Sequence, residues 1–191
     1  MRLLLPLLLL VGCPSAADPV VDPIDVSIAP GCSWAVSSHC GLPWPDARWL
    51  QEDPSTATGF RLAYEASGMP ANIDGDQLDP TEYARFDGFS PAAQVLTAFP
   101  RPIDTTDLAT RDRFDRSLEE DSPTVLVDLR TGERVPHWVE IDARWFDGND
   151  PARTDLPVIL YLRPAHRLEE GGWYAAALRG LSLEDGTPAP T

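Results

Sequence analysis

Lysine is absent from the sequence, and all fifteen cationic residues are arginine. The coding bias of a GC-rich genome accounts for this, so no function is read from it. Histidine is scarce, at three residues: His39, His137 and His166. There is no Gly-x-Ser-x-Gly elbow for a nucleophilic serine, no His-Glu-x-x-His zinc motif and no glycine loop of the kind that cradles phosphate. A Ser/His/Asp set can be assembled only on paper, from Ser90, His137 and Asp142, and the spacing gives it no support. His137, on an alternating segment, reads instead as a packed or surface residue. Long apolar runs are missing too. Leu3 to Val11, broken by Pro6, falls far short of the about 20 residues needed to cross a bilayer. Long helices are disfavoured by 20 prolines, which punctuate the 191-residue chain every few residues.

What the chain does have is acid. Thirty aspartates and glutamates set a formal charge of −15, spread along the whole length. Such a surface repels phosphate backbones, which argues against nucleic-acid binding. It also gives no attraction to anionic lipid, so membrane attachment needs another device. With so many carboxylates, pairs suited to glycoside hydrolysis arise by abundance alone and carry no information. A 43% hydrophobic and 24% charged composition is that of a folded domain with a tail.

The N-terminus supplies the missing device. Arg2 makes a minimal positive region, Leu3 to Val11 has the length of a secretory h-region, and the run ends in Leu10-Val11-Gly12-Cys13. This resembles the bacterial lipobox. The resemblance implies that residues 1–12 are a signal peptide, that the Cys13 thiol receives a diacylglyceryl group, and that the amine freed by cleavage is acylated, in the manner of a palmitate-type anchor. Two or three acyl chains hold a protein stably where one does not. Pro14, rather than aspartate, follows the cysteine, and the resemblance then implies the outer membrane, on its periplasmic or surface face. Residues 13–31, rich in proline, alanine and aspartate, are expected to be a flexible tether. Cys32 and Cys40, with the seven residues Ser33 to His39 between them, are placed by the signal in an oxidising compartment, so a disulfide is expected; closing so short a loop adds about 2–3 kcal/mol. The alternative, zinc held by these thiols with His39, lacks a fourth ligand.

Residues 32–120 read as a proline-rich, irregular and β region. Trp44, flanked by Pro43 and Pro45, is expected to be extended and packed on a core. Phe60 to Tyr64 reads as a short strand. Ser90 and Pro91 have the form of an N-cap and first helical residue, predicting a short helix over Ala92–Phe99. From residue 121 to 191 the pattern is β: Thr124–Leu129, an alternating Val135–Ile141, Leu156–Leu162 and Gly172–Leu181, with turns at 130–133 and 183–187. The expected fold is mainly β, with short helices and an antiparallel Ig-like β-sandwich in the C-terminal half.

Two other features bear on ligands. Asn72, Asp74, Asp76 and Asp79 place oxygens at alternate positions of a glycine-containing loop, as a weak calcium site would. The order is not that of an EF-hand, and a solvated turn explains the loop equally; a shorter acidic loop follows at Asp147–Asp150. No other cofactor is expected. Of six tryptophans, Trp44, Trp49, Trp138, Trp145 and Trp173 lie in or near expected strands, which favours core positions over sugar platforms.

Leu42-Pro43-Trp44-Pro45-Asp46, followed by Asp87-Gly88-Phe89-Ser90, resembles the N-terminal region of large exported lipases of the bacterial virulence-factor type. Arg163-Pro164-Ala165, Gly172-Trp173-Tyr174 and the closing Asp185-Gly186 resemble a bacterial Ig-like repeat. In that family this region is an accessory β-module and the α/β-hydrolase domain lies further along, so no catalytic residue carries over. Two functions follow as expectations. One is a non-catalytic, lipid-anchored binding or accessory module of the cell envelope, working with an envelope protein or a hydrolase partner. The other is the N-terminal fragment of an exported lipase or esterase.

Overall fold

A computed structural model describes residues 41–66, 69, 72, 74–76, 78–142 and 157–190. The signal, the tether, Cys13, Cys32, His39 and Cys40 lie outside the described residues, as do Trp145 and the second acidic loop. The fold is mainly β, with seven strands in antiparallel pairs among the described residues.

β1 (Leu50–Glu52) and β2 (Phe60–Leu62) form a hairpin in the register Leu50 to Leu62. Asp53 closes it. Its backbone N–H donates to Gly59 at 2.8 Å, and its carboxylate takes the Ser55 N–H at 2.9 Å and Arg61 Nε at 2.6 Å. Gly59 has φ +81°, a conformation that disfavours any residue with a Cβ. Those bonds hold the Asp53 carboxyl down at about 2, the Ser55 hydroxyl first and Arg61 next.

The main body starts at β3 (Val95–Phe99) and continues through β4 (Thr124–Asp128), β5 (His137–Ile141), β6 (Val158–Pro164) and β7 (Tyr174–Leu178). One sheet has the order β3-β6-β5, the other pairs β4 with β7. β6 alternates as a half-buried strand should: Val158, Leu160 and Leu162 are buried and the residues between them are half-buried. Leu160 and Leu162 share one core with Phe99 and Val139 of the same sheet and Leu126 of the other, and Tyr174 and Leu178 of β7 pack against it. The two sheets therefore enclose a common core, an arrangement compatible with an Ig-like sandwich. The core draws on residues from Val95 to Ala189, on both sides of residue 121.

Pro136 marks where the chain changes sheets. After β4, the turn through Gly132 (φ +73°) brings Val135 back to donate to Leu126 at 2.8 Å. Residues 137–141 then pair with β6 instead. A proline suits this place because it donates nothing to either ladder.

The helix expected over Ala92–Phe99 is not there. Ser90 does cap a turn, its hydroxyl accepting from Ala92 N at 3.2 Å and its carbonyl from Ala93 N at 2.8 Å. The turn ends at once, and residues 95–99 become β3, with Val95 opposite Leu162 and Phe99 opposite Val158. Two helical turns are marginal alone, whereas five ladder pairs and a buried Phe99 stabilise the strand. Among the described residues, short 3-10 segments form at Ala47–Trp49, Pro80–Arg85 and Arg111–Leu118.

Leu160 is 1% exposed, at the centre of the core. Leu160→Ala is expected to cost about 2–5 kcal/mol by leaving a cavity in a close-packed interior. Leu118→Ala, at a side chain 45% exposed, should stay within about 0.5 kcal/mol of the parent. Urea unfolding of both variants checks the contrast.

Candidate functional site

Two concave regions and one buried polar cluster compete as sites. The first concavity, about 320 Å³, is lined by aromatic and apolar side chains, among them Leu42, Trp44, Tyr64, Met69, Tyr83 and Leu96. Trp44 is set by its backbone, which exchanges two hydrogen bonds with Leu96 at 2.9 and 2.6 Å and so docks the proline-flanked segment on the outer edge of β3. The Leu42–Pro43 and Trp44–Pro45 peptides are cis. Trp44 Nε1 donates to the Tyr64 hydroxyl at 2.8 Å. Tyr64 meets Tyr83 edge-on with centroids 5.5 Å apart and tilts against Trp49 at the same separation. Burial pushes the Tyr64 hydroxyl up, so it stays protonated and acts as a hydrogen-bonding group. Such walls suit a small apolar or aromatic group with one polar atom.

Trp44 also meets Phe89 edge-on at 5.9 Å. The Pro-Trp-Pro-Asp and Asp-Gly-Phe-Ser stretches, separated by more than forty residues, thus form one joint. Sequence reasoning singled out Trp44 but missed Tyr83 and Met69. Asp79-Pro80 was the available signal for Tyr83: Asp79 caps a 3-10 segment by accepting from Thr81 N at 2.9 Å, and this segment presents Tyr83.

The second concavity, about 420 Å³, lies between residues 104–108, 116–123 and 179–182. Both of its arginines are engaged by neighbouring groups. Arg116 bridges Glu119 at 3.0 Å and Asp121 at 2.6 Å, and Arg179 donates to the Ser122 carbonyl at 3.0 Å and to that of Glu120.

His137 is fully buried. Its Nδ1 lies 2.9 Å from the Val135 carbonyl, which can only accept, so Nδ1 carries the proton and Nε2 accepts from the Thr124 hydroxyl at 2.9 Å. Its backbone N–H donates to Ser117 Oγ at 3.0 Å, and Ser117 in turn donates to the Phe114 carbonyl at 2.6 Å. Both ring nitrogens are taken by Thr124 and Val135, and neither Ser90 nor Asp142 bonds them. The ring joins β4 to β5 across the core, as a packed strand residue does.

The acidic loop that carries Asn72, Asp74, Asp76 and Asp79 has hydrogen bonds of its own. Asn72 Oδ1 accepts from Asp74 N and Asp76 N, both at 2.9 Å, and Asp79 is engaged with Thr81. Among the described residues, no three His, Cys, Asp or Glu side chains come together as a metal-binding group. Of the tryptophans, Trp49 is buried, Trp44 and Trp138 are half-buried, and Trp173 is 41% exposed against Phe60. No protein-family model, curated protein or solved structure matches the chain.

Burial lowers the His137 pKa below its ordinary 6.5, helped by the nearby Arg134 charge and opposed by the Val135 carbonyl. The folded chain therefore binds this proton less readily than the unfolded chain. The stability this contributes is complete above 6.5 and is lost as pH falls from there through the folded value. Wild type should melt at a lower temperature at pH 5 than at pH 7, and His137→Gln, which keeps one donor and one acceptor, should flatten that interval. A second loss, below about pH 4, belongs to aspartates such as Asp53 and Asp185, held down at about 2, and should survive the substitution. For the acidic loop, calorimetry with millimolar calcium is expected to give no heat and no rise in melting temperature, since Asn72 Oδ1 and Asp79 Oδ1 are already engaged by backbone N–H groups.

Proposed function

We propose that this chain is an exported, lipid-anchored, non-catalytic binding or accessory β-module of the cell envelope, probing its surroundings through the aromatic cavity beside Trp44. The observation that carries the reading is the N-terminal sequence: an arginine, a short apolar run and Leu10-Val11-Gly12-Cys13. An acidic chain of −15 needs a covalent anchor to stay at a membrane, and acyl chains on one cysteine provide it. No described helix is long and apolar enough to cross a bilayer. The cavity supports binding, because its walls are largely apolar and the polar side-chain groups among them are the Trp44 indole N–H and the hydroxyls of Tyr64 and Tyr83.

The rival reading, an N-terminal piece of an exported hydrolase, draws support from the Trp44–Phe89 joint. It unites the two stretches that resemble exported lipases.

The test is membrane fractionation and intact mass of the native product, with Cys13→Ala alongside. Wild type is expected in the membrane fraction, with a mass corresponding to residues 13–191 plus a diacylglyceryl and an acyl group. Cys13→Ala should lose both the lipid mass and the membrane association. An unlipidated wild type, or a variant that stays on membranes, would overturn the anchor. A much larger mass would transfer the reading to the hydrolase fragment.

A further inference from the structure

Sheet edges offer unpaired backbone groups, and folded chains normally block them with charge, proline, a bulge or a covering segment. Most edges here are covered. Trp44 pairs with β3 at Leu96, Ala109 accepts from Val139 of β5 at 2.8 Å, and residues 133–135 return along β4. β7 is different. It pairs with β4 on one side, in the register Val125 to Ala177 and Val127 to Ala175. The flanking bonds, Leu129 N to Trp173 O and Arg179 N to Pro123 O, both 2.9 Å, fix which residues bond inward. By the antiparallel alternation, the N–H and C=O groups of Tyr174, Ala176 and Leu178 point away from β4. Among the described residues nothing pairs with them.

The side chains leave this edge as open as the backbone does. Residues 173–178 read Trp-Tyr-Ala-Ala-Ala-Leu, with no charge and no proline in a chain that is 24% charged. Trp173 and the three alanines are exposed, and Tyr174 and Leu178 are half-buried.

We propose that β7 is the contact between two copies of this chain, paired antiparallel about a two-fold axis at Ala176. In that register the outward-bonding residues of one copy meet those of the other, Ala176 with Ala176 and Tyr174 with Leu178, for a continuous four-stranded sheet. A two-fold contact requires a surface complementary to itself, and this edge meets the requirement. The smallest side chains lie on the axis, and the tyrosine of each copy faces the leucine of the other, a favourable cross-strand pair. Charge agrees as well. Arg179, its guanidinium on the neutral carbonyls of Glu120 and Ser122, directly follows the strand, while Glu169 and Glu170, both largely exposed and ion-paired with Arg130 and Arg167, precede it. Antiparallel pairing brings the cationic end of each copy toward Trp173 and the acidic end of the other, and parallel pairing would set like ends together. A single strand pair buries less than the about 1,000 Å² of a stable complex. The dimer is therefore weak and forms at high concentration, as on a crowded surface.

Sedimentation velocity of the full chain in mild detergent, from about 1 µM to about 1 mM, tests this. Wild type is expected to pass from monomer to dimer across the series. Ala176→Pro removes one outward N–H and leaves the β4 ladder intact; it should raise the dissociation constant at least tenfold. Ala176→Glu places two carboxylates face to face on the axis and should do the same, whereas mixing it with Ala176→Arg should restore the dimer as a heterodimer. Wild type that stays monomeric throughout would overturn the proposal. So would a dimer indifferent to both substitutions, or one that the Glu and Arg variants fail to restore together, since the contact would then lie elsewhere.

Discussion

β6 is flanked on both sides by full strands, and the body hangs on that position. Its residues Val158, Leu160 and Leu162 are each 1% exposed. Its ladders reach back more than sixty residues to β3 and about twenty to β5. The burial of three aliphatic side chains contributes about 1.5–3 kcal/mol each relative to exposure. That burial exists only if β3 and β5 are both in register, because a one-residue slip would turn the set toward solvent. The second sheet then closes the core from the opposite side through Leu126, Tyr174 and Leu178. Strands this far apart in sequence commit late, since loop closure precedes the contacts that reward it.

The polar groups inside this core reinforce the same geometry. Thr124 comes from β4, His137 from β5 and Ser117 from the 3-10 segment Arg111–Leu118, and their bonds tie the three elements together. An imidazole here in its neutral form satisfies one acceptor and one donor, whereas an apolar residue would leave the buried Thr124 hydroxyl and Val135 carbonyl without their partner. A histidine in the core of this β-rich fold is thereby explained without chemistry. The aromatic cavity is instead formed where the core ends, by rings that pack partly against one another and partly toward solvent.

How far the sequence could be read follows from the range of the forces involved. β4 to β7 were legible because alternation is a local signal: Val135, His137 and Val139 fall on one face, and all three are buried. The observed strands are shorter, or shifted by two residues, because ladder ends depend on the partner. β3 was misread because Ser90-Pro91-Ala92-Ala93 is a local helix-start signal, while the competing partner, β6, lies far along the chain. The cavity was legible only at Trp44, since the tyrosines that complete it are brought there by the hairpin and by the Asp79 cap. In the acidic loop, spacing alone did not reveal that Asn72 spends its side-chain oxygen on backbone N–H groups.

The acidic composition also acquires a structural account. Asp46, Asp53, Asp79, Asp104, Asp128 and Asp185 each accept a hydrogen bond from the backbone N–H two residues on. In the pairs Asp53–Ser55, Asp79–Thr81, Asp104–Thr106 and Asp185–Thr187 the carboxylate takes the hydroxyl as well. These are side-chain turns; those of Asp46, Asp53, Asp79 and Asp128 stand where strands or 3-10 segments start or stop, and those of Asp104 and Asp185 follow the bridge between Ile103 and Leu183. Their pattern, aspartate followed two residues later by serine or threonine, was present in the sequence. Arginine plays the complementary part. Arg134 donates to the carbonyls of Ser117, Glu119 and Glu120, and Arg179 to those of Glu120 and Ser122. Together they hold the irregular stretch that links the 3-10 segment to β4. A planar fork with five donors can span several carbonyls at once, which the compact ammonium of lysine does less well. With few long helices or wide sheets to satisfy its backbone, this chain uses aspartate for stray N–H groups and arginine for stray carbonyls, so much of its charge is spent on architecture and little of it has to be explained by a ligand.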